Sequence, residues 1–234
     1  MLEEILRSGL EELGITPDSS AEGRLRTYYE YLEERNAVMN LTAISGKEDV
    51  ARLHFLDCAA LLTLCDLKGK SLVDVGTGAG FPGLALKIAE PTISLTMLDS
   101  LNKRIDFLSE TCEKLGFTDT ACIHARAEEA PPELRGAFDV VTSRAVARLN
   151  TLCELCLPFL KVGGTFIAMK GPDCVQEIEE AENALHLLGA EYVKTESYTI
   201  PGTDITHSAV IINKTKPTHP RYPRKWAQIK KQPL

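Results

Sequence analysis

Glycines at positions 76, 78, 80 and 83 stand between a short apolar run, Ser71-Leu72-Val73-Asp74-Val75, and the helical-looking stretch Gly83-Leu84-Ala85-Leu86-Lys87-Ile88-Ala89. A strand that passes through clustered glycines straight into a helix reads as the first crossover of a doubly wound α/β sheet. In such sheets ligands bind beyond the carboxyl ends of the strands. Glycine admits positive φ and lets a ligand come close to the backbone. Pro82 suits the first turn of the next helix, where its missing N–H costs little.

The flanking sequence supports that architecture. Residues 1–66 carry apolar residues at helical spacing, as at Ile5, Leu6, Leu10 and Leu13, then Leu25, Tyr28, Tyr29 and Leu32, with a loop at Asn40-Leu41-Thr42. From Lys70 short strands alternate with helices, which is the pattern of βαβ units and a parallel sheet. One helix is expected over residues 175–188. The runs Glu191–Ile200 and His207–Lys214 are joined only by Pro201-Gly202-Thr203-Asp204, too few residues for a crossover helix, so they form an antiparallel pair. The expected organisation is an N-terminal helical extension (1–66), a Rossmann-like α/β domain (67–215) with a mostly parallel seven-stranded sheet ending in an antiparallel hairpin, and a basic C-terminal tail (216–234).

The glycines spell two overlapping fingerprints. Gly78-x-Gly80-x-x-Gly83 has dinucleotide spacing, and Gly76-x-Gly78-x-Gly80 has the spacing of class I methyltransferases that use S-adenosyl-L-methionine. The terminal hairpin and the roughly 70 residues before the turn favour the second, with Asp74 placed near the cofactor's amino group. Asp99 ends the second strand, where a carboxylate accepts hydrogen bonds from a ribose diol, a role common to both cofactors. The third strand leads into Ala127 and Glu128, which reach the adenine in this fold. The fourth ends at Arg144, placed to meet a cofactor carboxylate or a nucleic-acid phosphate. Three readings stay open on these residues: a methyltransferase, an NAD-dependent oxidoreductase, and a non-catalytic RNA-binding or assembly protein.

Charge and cysteine usage narrow the classes further. The formal charge is -7, yet no acidic residue follows Asp204, and the last stretch holds Lys214, Lys216, Arg221, Arg224, Lys225, Lys230 and Lys231. The remainder carries 19 of the 26 basic residues against all 33 acidic ones. A basic tail on an acidic body suggests a local polyanion contact. The seven cysteines are scattered among apolar neighbours, which points to small buried hydrophobes rather than disulfides or metal ligands. Cys153-x-x-Cys156 lacks a second pair or a histidine at metal-binding distance, so no metal is expected. No signal peptide or membrane span is evident, and a cytoplasmic monomer is the default.

The chain resembles the GidB (RsmG) family of bacterial small-subunit ribosomal RNA methyltransferases. The likeness runs over nearly the whole chain, through Asn40-Leu41-Thr42, His54-Phe55-Leu56-Asp57, Asp74 to Gly83, Leu98 to Arg104, Ser143-Arg144-Ala145, Lys170-Gly171 and Tyr222-Pro223-Arg224-Lys225. The Phe81-Pro82-Gly83 extension of the turn is its most specific part. The resemblance implies N7 methylation of one guanine in 16S rRNA of the small ribosomal subunit, with S-adenosyl-L-methionine contacts at Gly76, Phe81, Ala127, Glu128 and Arg144. Thr77, Gly78, Gly80, Asp74 and Asp99 complete the expected cofactor set. Asn40, His54 and Lys170 are the candidate orienters, with Asp57 beside them. Arg144, Lys170, Arg221, Arg224 and Lys225 are the candidate RNA contacts, with Tyr222 and Trp226 for base stacking and Arg104 and Arg148 extending the surface. The tail departs from the family pattern at Ala227 and Ile229. It is expected to serve RNA rather than the cofactor.

Overall fold

Period-two alternation decides how the sheet is covered. In the computed structural model, which describes residues 2–234, strands β1 (Ser71–Val75), β2 (Ser94–Asp99), β3 (Thr120–His124), β4 (Phe138–Arg144), β5 (Leu160–Lys170), β6 (Ala190–Thr199) and β7 (Thr206–Lys214) form one sheet in the order β3-β2-β1-β4-β5-β7-β6. The first five are mutually parallel, and β7 runs antiparallel to both β5 and β6. This is the mixed seven-stranded sheet expected from the strand and hairpin patterns. Leu72, Ile167, Met169 and Ile211 point into one hydrophobic cluster, and their neighbours Val73, Phe166, Ala168 and Val210 point into another on the opposite face.

The first cluster is covered by α1 (Leu2–Glu12), α2 (Ala21–Met39), the broken run α3 (Lys47–Val50), a π-helical turn (Ala51–Leu56), α4 (Asp57–Ala59) and α5 (Leu61–Leu64), and then by α6 (Gly83–Ala89) and α7 (Asn102–Leu115). The second is covered by α8 (Leu149–Cys156), α9 (Val175–Glu180), α10 (Glu182–Leu188) and α11 (Trp226–Lys231). The single helix expected over 175–188 is two, broken at the fully buried Ala181, and Ala184, Leu185 and Leu188 of the second half pack into the cluster. Strand order reverses between β1 and β4, so the crevice at their carboxyl ends is the natural ligand site.

Two polar details explain local choices. Lys87 lies inside the fully packed α6, and its ammonium donates to Pro91 O (2.8 Å), Ile93 O (2.7 Å) and Asp119 Oδ2 (2.6 Å). All three of its donors are satisfied, which makes the burial of a charge tolerable. The cysteines are free, and Cys153 and Cys156 are buried on α8. Among the described residues no His, Cys, Asp or Glu group is placed to hold a metal, and no helix is long and apolar enough to cross a membrane.

The C-terminal segment is docked, not splayed. Tyr222 and Ile229 are buried, and the Arg224 guanidinium forms a two-pronged pair with Glu154 of α8 (Nε–Oε1 2.8 Å, Nη2–Oε2 2.6 Å) while the Arg224 backbone N–H donates to the same carboxylate. Glu154 is fully buried, so this pair is what makes its charge affordable. Replacing Arg224 by Ala strands that carboxylate, and a loss of about 3 kcal/mol in urea unfolding at pH 7 is expected. The paired variant Arg224→Met with Glu154→Leu recovers most of it, because no charge remains buried; equal losses in the two proteins would contradict this account.

Candidate functional site

The glycine-rich turn builds the floor of a cavity of about 490 Å³ at the carboxyl ends of β1 to β4. Gly76 has φ +71°, and a Cβ there would stand 2.6 Å from the Val146 side chain. Its N–H and that of Thr77 donate to Leu98 O (2.8 and 3.2 Å), and the Gly78 N–H donates to Asp99 Oδ2 (3.0 Å). Gly76, Thr77 and Gly78 line the cavity; Asp74 and Gly80 do not. Asp74 lies beneath the turn, fully buried, and accepts from Thr77 Oγ1 (2.7 Å), Gly83 N–H (2.8 Å) and Thr142 Oγ1 (3.4 Å). Burial outweighs these donors and raises its pKa to about 6. Against the expectation that it meets a cofactor amino group, Asp74 does not face the cavity but shapes the turn from beneath. Gly80 serves packing, since a Cβ there would meet the Tyr28 hydroxyl at 2.5 Å and Leu108 at 2.9 Å.

Asp99, Ala127 and Glu128 line the same cavity on its β2 and β3 side. Asp99 combines both roles open to it. It caps the following segment through Leu101 N–H (2.9 Å) and also takes Gly78 N–H and Arg104 Nη1 (3.3 Å). A carboxylate has roughly four acceptor sites, so one is left toward the cavity. Arg104, expected on an RNA surface, is instead a wall of this cavity. Glu128 has an Oε1 that is buried without a hydrogen bond; the nearest cation, Arg126 Nη1, is 3.9 Å away.

At the other end the cavity meets a second one of about 520 Å³, and His54, Arg144 and Ala145 line both. Arg144 Nη1 donates to Leu53 O (3.1 Å) and Asp57 Oδ2 (3.2 Å), and Nη2 donates to His54 Nδ1 (2.9 Å). The His54 ring stacks on Phe81 (centroids 4.3 Å apart), and Phe81 stacks in turn on Tyr28 of α2, whose hydroxyl donates to Ala79 O. Because Nδ1 accepts from a guanidinium, His54 carries its proton on Nε2 and donates it to Thr42 Oγ1 (2.8 Å). Thr42 Oγ1 also accepts from Ile44 N–H (3.0 Å), which leaves its own proton free to donate into the first cavity. The fully buried Asp57 accepts from Tyr198 Oη (2.9 Å) and His207 Nδ1 (2.8 Å) as well as Arg144. That hydrogen bond raises the pKa of His207.

Several expected residues are employed differently. Asn40 caps α2 in the left-handed conformation (φ 50°) and lies outside the cavity lining; the next two residues, Leu41 and Thr42, line it. Lys170 lines only the second cavity, and its ammonium, in a side chain 9% exposed, is taken by Glu177 (2.7 Å) and Ala147 O (2.8 Å), so it is not a free phosphate contact. Arg144 is already paired with Asp57, and Arg224 with Glu154, so neither offers RNA an unpaired cation. Arg148 pairs with Glu180 (2.6 Å). Arg221, packed on the Tyr222 ring, and Lys225 remain on the surface. Ala145 belongs to the family-like stretch Ser143-Arg144-Ala145, but nothing in the sequence signals its positive φ (57°), which among the described non-glycine residues it shares only with Asn40. Nor did Trp226 signal a place in the first cavity, which it lines.

A family model described as GidB, rRNA small subunit methyltransferase G, matches residues 21–205. The chain belongs to this family. Ribosomal RNA small subunit methyltransferase G of Alkaliphilus metalliredigens is 46% identical, with 98% of each chain covered. Among solved structures, a SAM-dependent methyltransferase from Aquifex aeolicus has TM-score 0.52 at 18% identity, covering 70% of this chain and 94% of that one. A branched-chain polyamine synthase mutein from Thermus thermophilus, in complex with N4-aminopropylspermidine and 5'-methylthioadenosine, reaches 0.61 at 14% identity, covering 85% and 65%. At such identities the likeness is one of fold, and the fold hosts more than one chemistry. Membership of the GidB family decides between the two fingerprints that the turn spells.

His54 also yields a pH signature. Burial first, and Arg144 second, lower its pKa from 6.5 to about 3. The unfolded chain therefore binds a proton that the folded chain refuses, and the stability this contributes is complete above pH 6.5 and lost as pH falls toward 3. Acidification from pH 7 to pH 5 should cost the wild type about 2 kcal/mol more than the His54→Gln variant, read from urea midpoints. Parallel pH profiles in the two proteins would show that His54 is not held neutral.

Proposed function

We propose that the chain methylates N7 of a guanine in the 16S rRNA of the small ribosomal subunit, using S-adenosyl-L-methionine, as a cytoplasmic monomer. The observation that carries this reading is the junction of two cavities at His54, Arg144 and Ala145. It gives a methyl donor and an acceptor base adjacent chambers that share these three lining residues. The first chamber suits the cofactor: a backbone cradle without side chains at Gly76 and Gly78, an acceptor at Asp99 for ribose hydroxyls, and the orphaned Oε1 of Glu128 for an exocyclic amine.

S-adenosyl-L-methionine, when bound, supplies a methyl group on a cationic sulfur. The remaining work is positioning. Guanine N7 has an in-plane lone pair and no proton, so the residues need not remove one. His54 fits this demand, because both ring nitrogens are committed and its pKa of about 3 keeps it neutral. It orients Thr42 and Arg144 rather than titrating. Alignment of two bound reactants can supply roughly 7–11 kcal/mol of barrier reduction, and fixed dipoles around the junction add to it without reorganising.

The test is labelled methyl transfer onto 16S rRNA, offered both as naked RNA and as assembled small subunits, with aniline cleavage to locate 7-methylguanine. Incorporation at N7 into either substrate is expected. No incorporation into both, or a methyl on another atom, overturns the reading. Gly76→Asp is expected to weaken S-adenosylhomocysteine binding by at least about 100-fold, because the side chain meets Val146 and puts a carboxylate into the cradle at positive φ. Binding near the wild-type level would remove the turn from the cofactor site.

A further inference from the structure

We propose that Trp226 forms the adenine-side wall of the cofactor cavity, so that the C-terminal segment completes the nucleoside site. This rests on the S-adenosyl-L-methionine reading of that cavity.

Sheet order gives the cavity a direction. β3 lies outside β2 on one side, and β4 lies beyond β1 on the other. Asp99 ends β2, between the Arg144 end and the stretch that follows β3. A ribose held by Asp99 sends its 5′ side toward Arg144 and its base toward Ala127 and Glu128. Leu155 of α8 and Trp226 of α11 also line the cavity, and α8 packs against both the Ala127–Glu129 turn and α11, which sets the two side chains at that end. An adenine has two apolar π faces and one exocyclic amine to donate. The chamber answers with an aliphatic side chain, an indole and the unbonded Oε1 of Glu128.

Trp226 is 37% exposed, so protein covers only part of its ring. It is nonetheless held in place from both sides. Two residues before it, Arg224 is clamped on the buried Glu154, next to Leu155 in the chain; three residues after it, Ile229 is fully buried. An aromatic on a loose tail would have to be ordered by the ligand, and that entropy would be subtracted from binding. Here the segment is ordered by its own anchors. Trp226 is also the single tryptophan of the chain, so its emission reports this one position.

The experiment titrates the full-length protein with S-adenosylhomocysteine and with 5'-methylthioadenosine, which keeps the base and lacks the amino acid. Calorimetry is run on wild type, Trp226→Ala and Trp226→Phe, and tryptophan emission on wild type. Both ligands are expected to bind Trp226→Ala about tenfold more weakly, with Trp226→Phe within about threefold of wild type, since a second aromatic ring restores stacking. Wild-type emission should change with the calorimetric midpoint. Affinity of a folded Trp226→Ala protein within about twofold of wild type overturns the proposal. So does unchanged emission while calorimetry reports binding, a test that holds even if the alanine variant does not fold. A wild-type protein that binds neither ligand overturns the cofactor reading itself, which separates the two failures.

Discussion

The site depends on one buried ion pair, Arg144 with Asp57. Asp57 begins α4, Arg144 ends β4, and the two other donors to Asp57, Tyr198 and His207, come from the terminal hairpin. Three parts of the chain that are distant in sequence thus converge on one carboxylate. Neither partner could be buried alone, because an unpaired charge in the interior costs several kcal/mol. The pair therefore locks the helical segment, the parallel strands and the hairpin into one arrangement. The junction of the two cavities lies at that place.

What surrounds this pair is a stack rather than a catalytic triad. Tyr28, Phe81 and His54 lie ring against ring, and His54 passes the order on to Thr42 and Arg144 by hydrogen bonds. The glycine-rich turn is thereby fixed from above by residues of the N-terminal helices and from below by Asp74. A site built this way suits a reaction whose barrier is lowered by holding two molecules in line. It has no use for a titrating base, and its one central histidine is kept neutral.

Much of this was legible in one dimension. The strand-glycine-helix transition at 71–89 announced the crossover, the short Pro201-Gly202 link announced the hairpin, and family-like stretches pointed to His54, Phe81, Glu128 and Arg144, all of which line the first cavity. Where the fold departs from the sequence expectations, the physical cause is shared. A sequence shows a side chain's charge but not its partner, so it presents Lys170, Arg144 and Arg224 as free cations. Glu177 lies seven residues from Lys170, while Asp57 and Glu154 lie 87 and 70 residues from their arginines. The sequence likewise does not show that Asp74 lies beneath the turn, where it takes Thr77, Gly83 and Thr142 and does not face the cavity.

The C-terminal segment shows the division most plainly. Its departure from the family pattern is visible in the sequence, and its basic composition suggests a surface given to RNA. Folding sets Tyr222 and Ile229 into the core, clamps Arg224 on Glu154 and carries Trp226 to the first cavity. Local pattern determined which elements form, because helix and strand periods and turn residues act over a few neighbours. Only the tertiary structure decided which charges are already paired and which aromatic meets which pocket, because those depend on contacts between residues far apart in the chain.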